Sequence, residues 1–206
     1  VDVEIVMQHP TVTVQPTIEP LTLAEVKLFC RVDYEDDDSL LQQLTKAARK
    51  RAEGWLYRGL ITQTRAVRLN DSDFDSSGNI ILPNPNVQSV SSITYYDSAG
   101  TLQTASTSLY RLVNGSDAEN EAFVELLVNQ TWPTADADRQ LPWTVTYVCG
   151  YGAAAADVPE EIRLGLKIAI ATWYEHREGM IVGTTANTMP YATHGVLMAH
   201  RWKWTA

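Results

Sequence analysis

Apolar positions recur at helical spacing in two stretches of the chain and alternate at strand spacing between them. In the first stretch Leu40, Leu41, Leu44, Ala47, Ala48 and Trp55 share one face of a helix, with Lys46, Arg49, Lys50 and Glu53 off it. From Asp38 to Trp55 this helix spans about 27 Å at 1.5 Å per residue, and Gly59 lies where it should stop. Ahead of it, Thr22-Leu23-Ala24-Glu25 is a capping-box pattern, a hydroxyl and a carboxylate placed to satisfy free amides at a helix start. It predicts a short helix to about Arg31. Asp36, Asp37 and Asp38 then complement the positive end of the next helix dipole, which we favour over a metal site.

Residues 64–149 change period. Thr, Val, Ile, Tyr and Ser dominate, broken by the turn clusters DSDFDSSGN, PNPN, DSAG and NGSD. Strands are expected at 64–69, 79–82, 88–96, 101–104, 108–113, 122–128 and 143–149. The last alternates cleanly, with Trp143, Val145 and Tyr147 on one side and Thr144, Thr146 and Val148 on the other.

Asp157 and Pro159 open a third helix, since proline suits the first helical turn, and it runs through EEIRLGLKIAIATWYEHRE. Ile162, Leu166, Ala169, Ile170 and Trp173 form one stripe, yet Leu164, Ile168 and Ala171 make the opposite side apolar too. A helix apolar on nearly all sides must be covered on nearly all sides. The chain's own core supplies one cover, and a neighbouring subunit is the candidate for the other. Leu164, Ile168 and Ala171 are therefore candidate subunit-interface residues, with burial inside the chain as the alternative.

After Gly179 the pattern is loop-like, and the chain ends in GVLMAHRWKWTA. Arg201, Trp202, Lys203 and Trp204 are poor candidates for a solvated tail and good ones for anchors in a partner's groove. Folding back onto their own domain is the competing reading. At the other end, Pro10, Pro16 and Pro20 surround short alternations such as Val12 and Val14 and predict an extended arm, either laid on a neighbouring subunit or frayed. The resulting fold class is α+β: a helical bundle from the N- and C-terminal helices with an inserted β-rich subdomain. The expected parts are an arm at 1–20, a helical core at 21–63 and 157–178, a β-rich insertion at 64–150 and a C-terminal docking segment at 179–206.

Charge narrows the classes of function. Acidic residues outnumber basic ones 25 to 16, a formal net charge of -9, which is the wrong sign for gripping phosphates. The same sign suits a wall along which a polyanion must not stick. Cys30 and Cys149 read as two reduced, mostly buried thiols rather than a disulfide framework. No apolar run approaches the roughly 18 residues that a membrane helix needs. The opening VDVEIVMQHP lacks the basic and apolar regions of a signal peptide. A soluble chain assembled in a cytosol is the expectation.

Catalytic and metal signatures are weak. Asp71-x-Asp73-x-Asp75 begins like a calcium loop, but the sixth and twelfth positions are Ser76 and Leu82 where glycine and glutamate are required, so an acidic hairpin turn is favoured. Cys149-Gly150-Tyr151-Gly152 is better read as a strand ending in a glycine-permitted turn than as an ion filter. His9, His176, His194 and His200 are scattered, and His176 is placed to serve a helix end. A hydrolase would have to draw on His176 and Glu178. A carbohydrate- or receptor-binding module would instead present Tyr95, Tyr96 and Tyr110 as a patch. No cofactor or metal is expected, and no enzymatic activity.

The order of motifs resembles the head–tail connector (adaptor) proteins of tailed phages. The first block is Pro20-Leu21-Thr22-Leu23-Ala24-Glu25-Val26-Lys27, then Asp36-Asp37-Asp38 opening a helix with Ala47-Ala48-Arg49 and Glu53, then Leu60-Ile61-Thr62-Gln63-Thr64. The second is Gly150-Tyr151-Gly152 followed by Val158-Pro159-Glu160-Glu161-Ile162-Arg163 and Trp173-Tyr174-Glu175-His176-Arg177-Glu178. The third is Pro190 with Gly195-Val196-Leu197-Met198 and Arg201. The resemblance covers both helical parts and leaves the β-rich middle unmatched. It implies a homo-oligomeric ring of roughly a dozen copies, closed by heterologous contacts. That ring would sit in the virion neck below the portal protein and receive a neck stopper or tail-terminator protein. The C-terminal segment would dock on the portal, and genomic DNA would pass through the channel without specific binding. No membrane is involved.

Overall fold

The computed structural model describes residues 10–83, 86–114, 122–176, 195 and 197–201. The described residues fall into two units, those up to residue 16 and within 62–150 in one, those within 17–61 and from 151 onward in the other. Helices from the N- and C-terminal parts of the sequence pack together, and a β-rich subdomain is inserted between them in the chain. This is the expected α+β arrangement.

The strand unit holds two antiparallel sheets. One has five strands in the order β1 (Thr11–Val14), β2 (Gln63–Leu69), β8 (Trp143–Cys149), β4 (Val87–Tyr96) and β5 (Leu102–Thr104). The other has three, in the order β3 (Ile80–Leu82), β7 (Ala122–Leu126) and β6 (Tyr110–Val113). The expected arm is extended, and Thr11–Val14 run as an edge strand against β2 of the same chain. Proline on both sides confines it there, because Pro10 and Pro16 have no amide to offer a ladder. Strand β8 pairs β2 without interruption, from Gln63 opposite Cys149 to Leu69 opposite Trp143. Its alternation is the one expected: Trp143, Val145, Tyr147 and Cys149 are buried and the residues between them are half-exposed.

Tryptophan and tyrosine build much of this core. Trp143 stacks on Tyr95 with centroids 5.0 Å apart and meets Phe74 and Trp132 at 5.5 and 5.7 Å. Each indole finds a polar partner: Trp143 Nε1 donates to Asp71 Oδ1 at 2.6 Å and Trp132 Nε1 to the Gly78 carbonyl at 2.7 Å. Large rings bury apolar area while one N–H stays satisfied, which is why these positions accept Trp.

The helical unit contains α1 (Leu23–Cys30), α2 (Asp38–Leu56) and α3 (Glu160–Glu175). The capping box is present in both directions: Thr22 accepts from the Glu25 amide, and Glu25 accepts from the Thr22 amide at 2.8 Å. Helix α2 follows the expected span, but its buried face differs. Leu41, Thr45, Ala48, Arg49, Ala52, Glu53 and Leu56 point inward, while Ala47 is exposed. Arg49 and Glu53, expected off the core, lie inside it because Glu19, thirty residues earlier, completes the pairing. Arg49 reaches Glu19 through Nε (2.7 Å) and Glu53 through Nη1 (3.0 Å). The second Glu53 oxygen accepts the Leu60 amide at 3.0 Å. A buried charge is tolerated only when paired and hydrogen-bonded, and here both conditions hold.

Helix α2 also stops before Gly59. Tyr57 takes the left-handed cap conformation (φ 54°) and its amide donates to the Glu53 carbonyl. Gly152 answers to a different constraint. A Cβ there would lie 2.0 Å from Asp157 Oδ2, and that carboxylate accepts the Ala154 amide at 2.8 Å. Only glycine leaves room for this turn, which leads into α3.

Candidate interaction surfaces

Helix α3 uses its first turn for attachment. The Arg163 guanidinium is nearly buried, bonds to Glu25 and Glu160, and donates from Nε to the Pro20 carbonyl at 3.2 Å. Twelve residues, or about three turns, cover the rest of the helix to its far end, where Tyr174 donates to Asp37. Tyr34 also donates to Asp37, at 3.2 Å, and the two phenol oxygens lie 2.9 Å apart. The hydrogen bond to Asp37, then the one with Tyr34, pushes the Tyr174 pKa well above the ordinary phenol value. Asp37 therefore ties helices together rather than capping α2, whose N-terminus receives no side-chain cap bond.

With Ile162, Arg163, Gly165, Leu166, Ala169 and Ile170 turned inward, the opposite face of α3 is only partly covered. At about 100° per residue, Leu164, Ile168 and Ala171 fall within an arc of about 60° on that face. Leu164 is 43% exposed, and Ile168 and Ala171 are half-buried. Helix α1 adds two residues that sequence reasoning passed over: Leu28 is 81% exposed and Phe29 41%. A signal was available, because Leu23, Val26, Leu28, Phe29 and Cys30 are more apolar positions than one face of an eight-residue helix can hold, and only Val26 is fully buried.

Residues 197–201 of the C-terminal segment lie against the rest of the helical unit. Leu197 is almost completely buried, and Gly165 of α3 faces it: a Cβ on Gly165 would stand 3.0 Å from Leu197 Cδ2. Arg58 Nε donates to the His200 carbonyl at 2.8 Å, and the exposed Arg201 guanidinium lies 5.3 Å from the Tyr57 ring. Trp202, Lys203 and Trp204 lie outside the described residues, as does Glu178.

The remaining candidates have structural occupations. Tyr95 and Tyr110 are core rings, stacked on Trp143 and Trp132, and Arg139 covers Tyr96 at 3.4 Å. Of the patch that the alternative binding module would present, two rings thus stack on tryptophans of the strand unit and the third lies under a guanidinium. Asp71 accepts the Trp143 indole, Asp73 the Asn70 amide, and Asp75 the amides of Ser77 and Asn79. Burial raises the Asp75 pKa, but hydrogen bonds led by Asn79 outweigh it and hold the group below the ordinary value. Among the described residues no three His, Cys, Asp or Glu side chains form a group that could hold a metal ion. His176 closes α3, its amide donating to the Thr172 carbonyl at 2.9 Å. Burial, then Glu175, pushes up the thiol pKa of the half-buried Cys30. No helix among the described residues is long and apolar enough to cross a membrane.

Comparison with known proteins follows the same lines. Residues 20–117 match the family model of phage gp6-like head-tail connector proteins. No curated protein sequence matches the chain. Among solved structures, a chain from the neck of an empty GTA particle, computed with C6 symmetry, superposes with a TM-score of 0.75 at 20% identity, over 96% of this chain and 97% of that one. A chain from the virion of a native gene transfer agent (GTA) particle gives 0.73 at 19% identity, over 94% and 97%. A third, from the neck of a native GTA particle computed with C12 symmetry, gives 0.67 at 18% identity, again over 94% and 97%. The chain is similar to the head–tail connector family by sequence over residues 20–117 and shares the fold of these particle components over nearly its whole length.

Proposed function

We infer that this chain is a structural head–tail connector, a virion neck subunit of a tailed phage or a related particle, and that its role is mechanical rather than catalytic. The observation that carries the mechanism is the outward face of α3. Leu164 is exposed there and Ile168 and Ala171 are only half-buried, and Leu28 and Phe29 on α1 are exposed as well. The occupant we assign to it is a second copy of the same chain. In a closed ring each subunit offers one patch to the neighbour ahead and a different patch to the neighbour behind. A ring of about twelve copies, the C12 symmetry of one similar neck, fits such heterologous contacts.

The C-terminal segment, with Arg201, Trp202, Lys203 and Trp204, docks on the portal protein, and the opposite side of the ring receives a neck stopper or tail-terminator protein. Genomic DNA passes through the channel. A net charge of -9 favours passage over adhesion, because a polyanion is repelled by a wall of its own sign. Assembly takes place in the host cytoplasm before the neck is complete.

Native mass spectrometry of the purified chain, alone and mixed with portal, tests this reading. Leu164→Asp should leave the melting temperature close to wild type and abolish ring formation; wild-type rings from that variant would remove α3 from the interface. Deleting residues 189–206 should leave folded subunits that no longer bind portal, and unchanged binding would remove the docking role.

A further inference from the structure

We propose that Arg58 and the notch at Gly165 are positioning residues that fix the point at which the C-terminal segment leaves the helical unit. The docking tail then starts from a preset root. This rests on the reading that the tail docks on a partner, and adds how its geometry is set.

Two separate parts of the helical unit, α3 and the turn that ends α2, converge on residues 197–201. Leu197 is 1% exposed and faces Gly165, the inward position of α3 that carries no side chain. Arg58, 2% exposed, donates to the carbonyl of His200. Tyr57 lies under the Arg201 guanidinium, within the distance at which a cation is attracted to a ring face. On the α3 side the His200 imidazole also lies 3.9 Å from Glu161.

The choice of groups is informative. Stripping water from a guanidinium is costly, and one of the bonds that the buried Arg58 makes is a directional one to a main-chain carbonyl. Such a bond is indifferent to the side chain at position 200 and sensitive to where the backbone runs. It sets place rather than identity. Tyr57 supports the same conclusion, since its left-handed φ of 54° suits glycine better than tyrosine, yet the ring it carries is the one that meets Arg201. A segment already held in its bound position needs no ordering when a partner arrives, which raises affinity.

The experiment compares Leu197→Ala and Arg58→Met with wild type in the full chain, by hydrogen–deuterium exchange and by affinity for purified portal. Both variants should keep protection in α2 and α3 and lose it at 197–201. If the released segment visits its rooted position about a tenth of the time, portal affinity should fall about tenfold. Unchanged exchange at 197–201 overturns the proposal, and so does a loosened segment with unchanged or tighter portal binding. Should Arg58→Met fail to fold, Leu197→Ala decides alone, because Leu197 lies outside the polar contacts of Arg58. A chain truncated after Arg201 separates the two claims. Wild-type binding by the truncated chain removes the docking role and the root with it. Lost binding, with the two variants binding like wild type, removes the root alone.

Discussion

In the strand unit Ile80, Leu82, Ile93, Val124, Trp143 and Val145 are fully enclosed, and many of the acids serve turns: Asp75 accepts the amides of Ser77 and Asn79, and Asp97 those of Ala99 and Thr101. The helical unit distributes its groups differently. Its interior contains Arg49, Glu53, Arg58 and Arg163, while Leu28, Phe29 and Leu164 stand in water on helix faces. The strand unit also leaves apolar side chains outside, but Val14, Leu102 and Val128 are isolated on edges and a turn, which is ordinary for a protein surface. The difference separates two tasks. In the strand unit Arg65 and Gln63 are buried as well, but most of the described core is aromatic and aliphatic. Buried ion pairs contribute little net stability for the desolvation they require, but they hold helices in one arrangement, and in that arrangement Leu28, Phe29 and Leu164 are left exposed.

Removing one partner of the buried pairs should have the largest effect. Glu53→Ala leaves the Leu60 amide and one arm of Arg49 without their acceptor and should cost about 3–5 kcal/mol in urea unfolding. In the strand unit Ile93→Val, at a site with 0% exposure, should cost only about 0.5–1.5 kcal/mol. Equal costs would erase the contrast. Next in size, Gly152→Ala forces a methyl into the Asp157 carboxylate and should destabilise by about 1–3 kcal/mol, read as a lowered melting temperature.

A smaller, pH-dependent effect belongs to Glu25. The Thr22 amide hydrogen bond lowers its pKa most; burial opposes this, and the Thr22 hydroxyl and Arg163 lower it further, so the net value is below the ordinary 4.5. A carboxylate with a lowered folded pKa contributes fully above its unfolded pKa and loses that contribution as pH falls through the folded value. Stability should therefore decline below about pH 4.5, and Glu25→Gln should flatten that decline in an acid titration. The smallest effect is expected at Val128, which is 86% exposed: Val128→Ser should shift stability by no more than about 0.5 kcal/mol and leave ring formation intact. Loss of rings in this variant would move an intermolecular contact onto the strand unit.

Local grammar was legible from residues alone. The Thr22–Glu25 capping box, the span of α2, all seven strands from β2 to β8 and the inward side of β8 depend on neighbours a few positions away, and periodicity and turn residues report such neighbours directly. The second apolar side of α3 was legible for the same reason. Contacts across long separations were not. Glu19 turns Arg49 inward from thirty residues away, Trp143 draws Tyr95 into the core, and Gly165 receives Leu197. An amphipathic pattern states which side chains avoid water, whereas the partner that lets a charge avoid water, or the ring that a tyrosine stacks on, exists only once distant segments have been brought together.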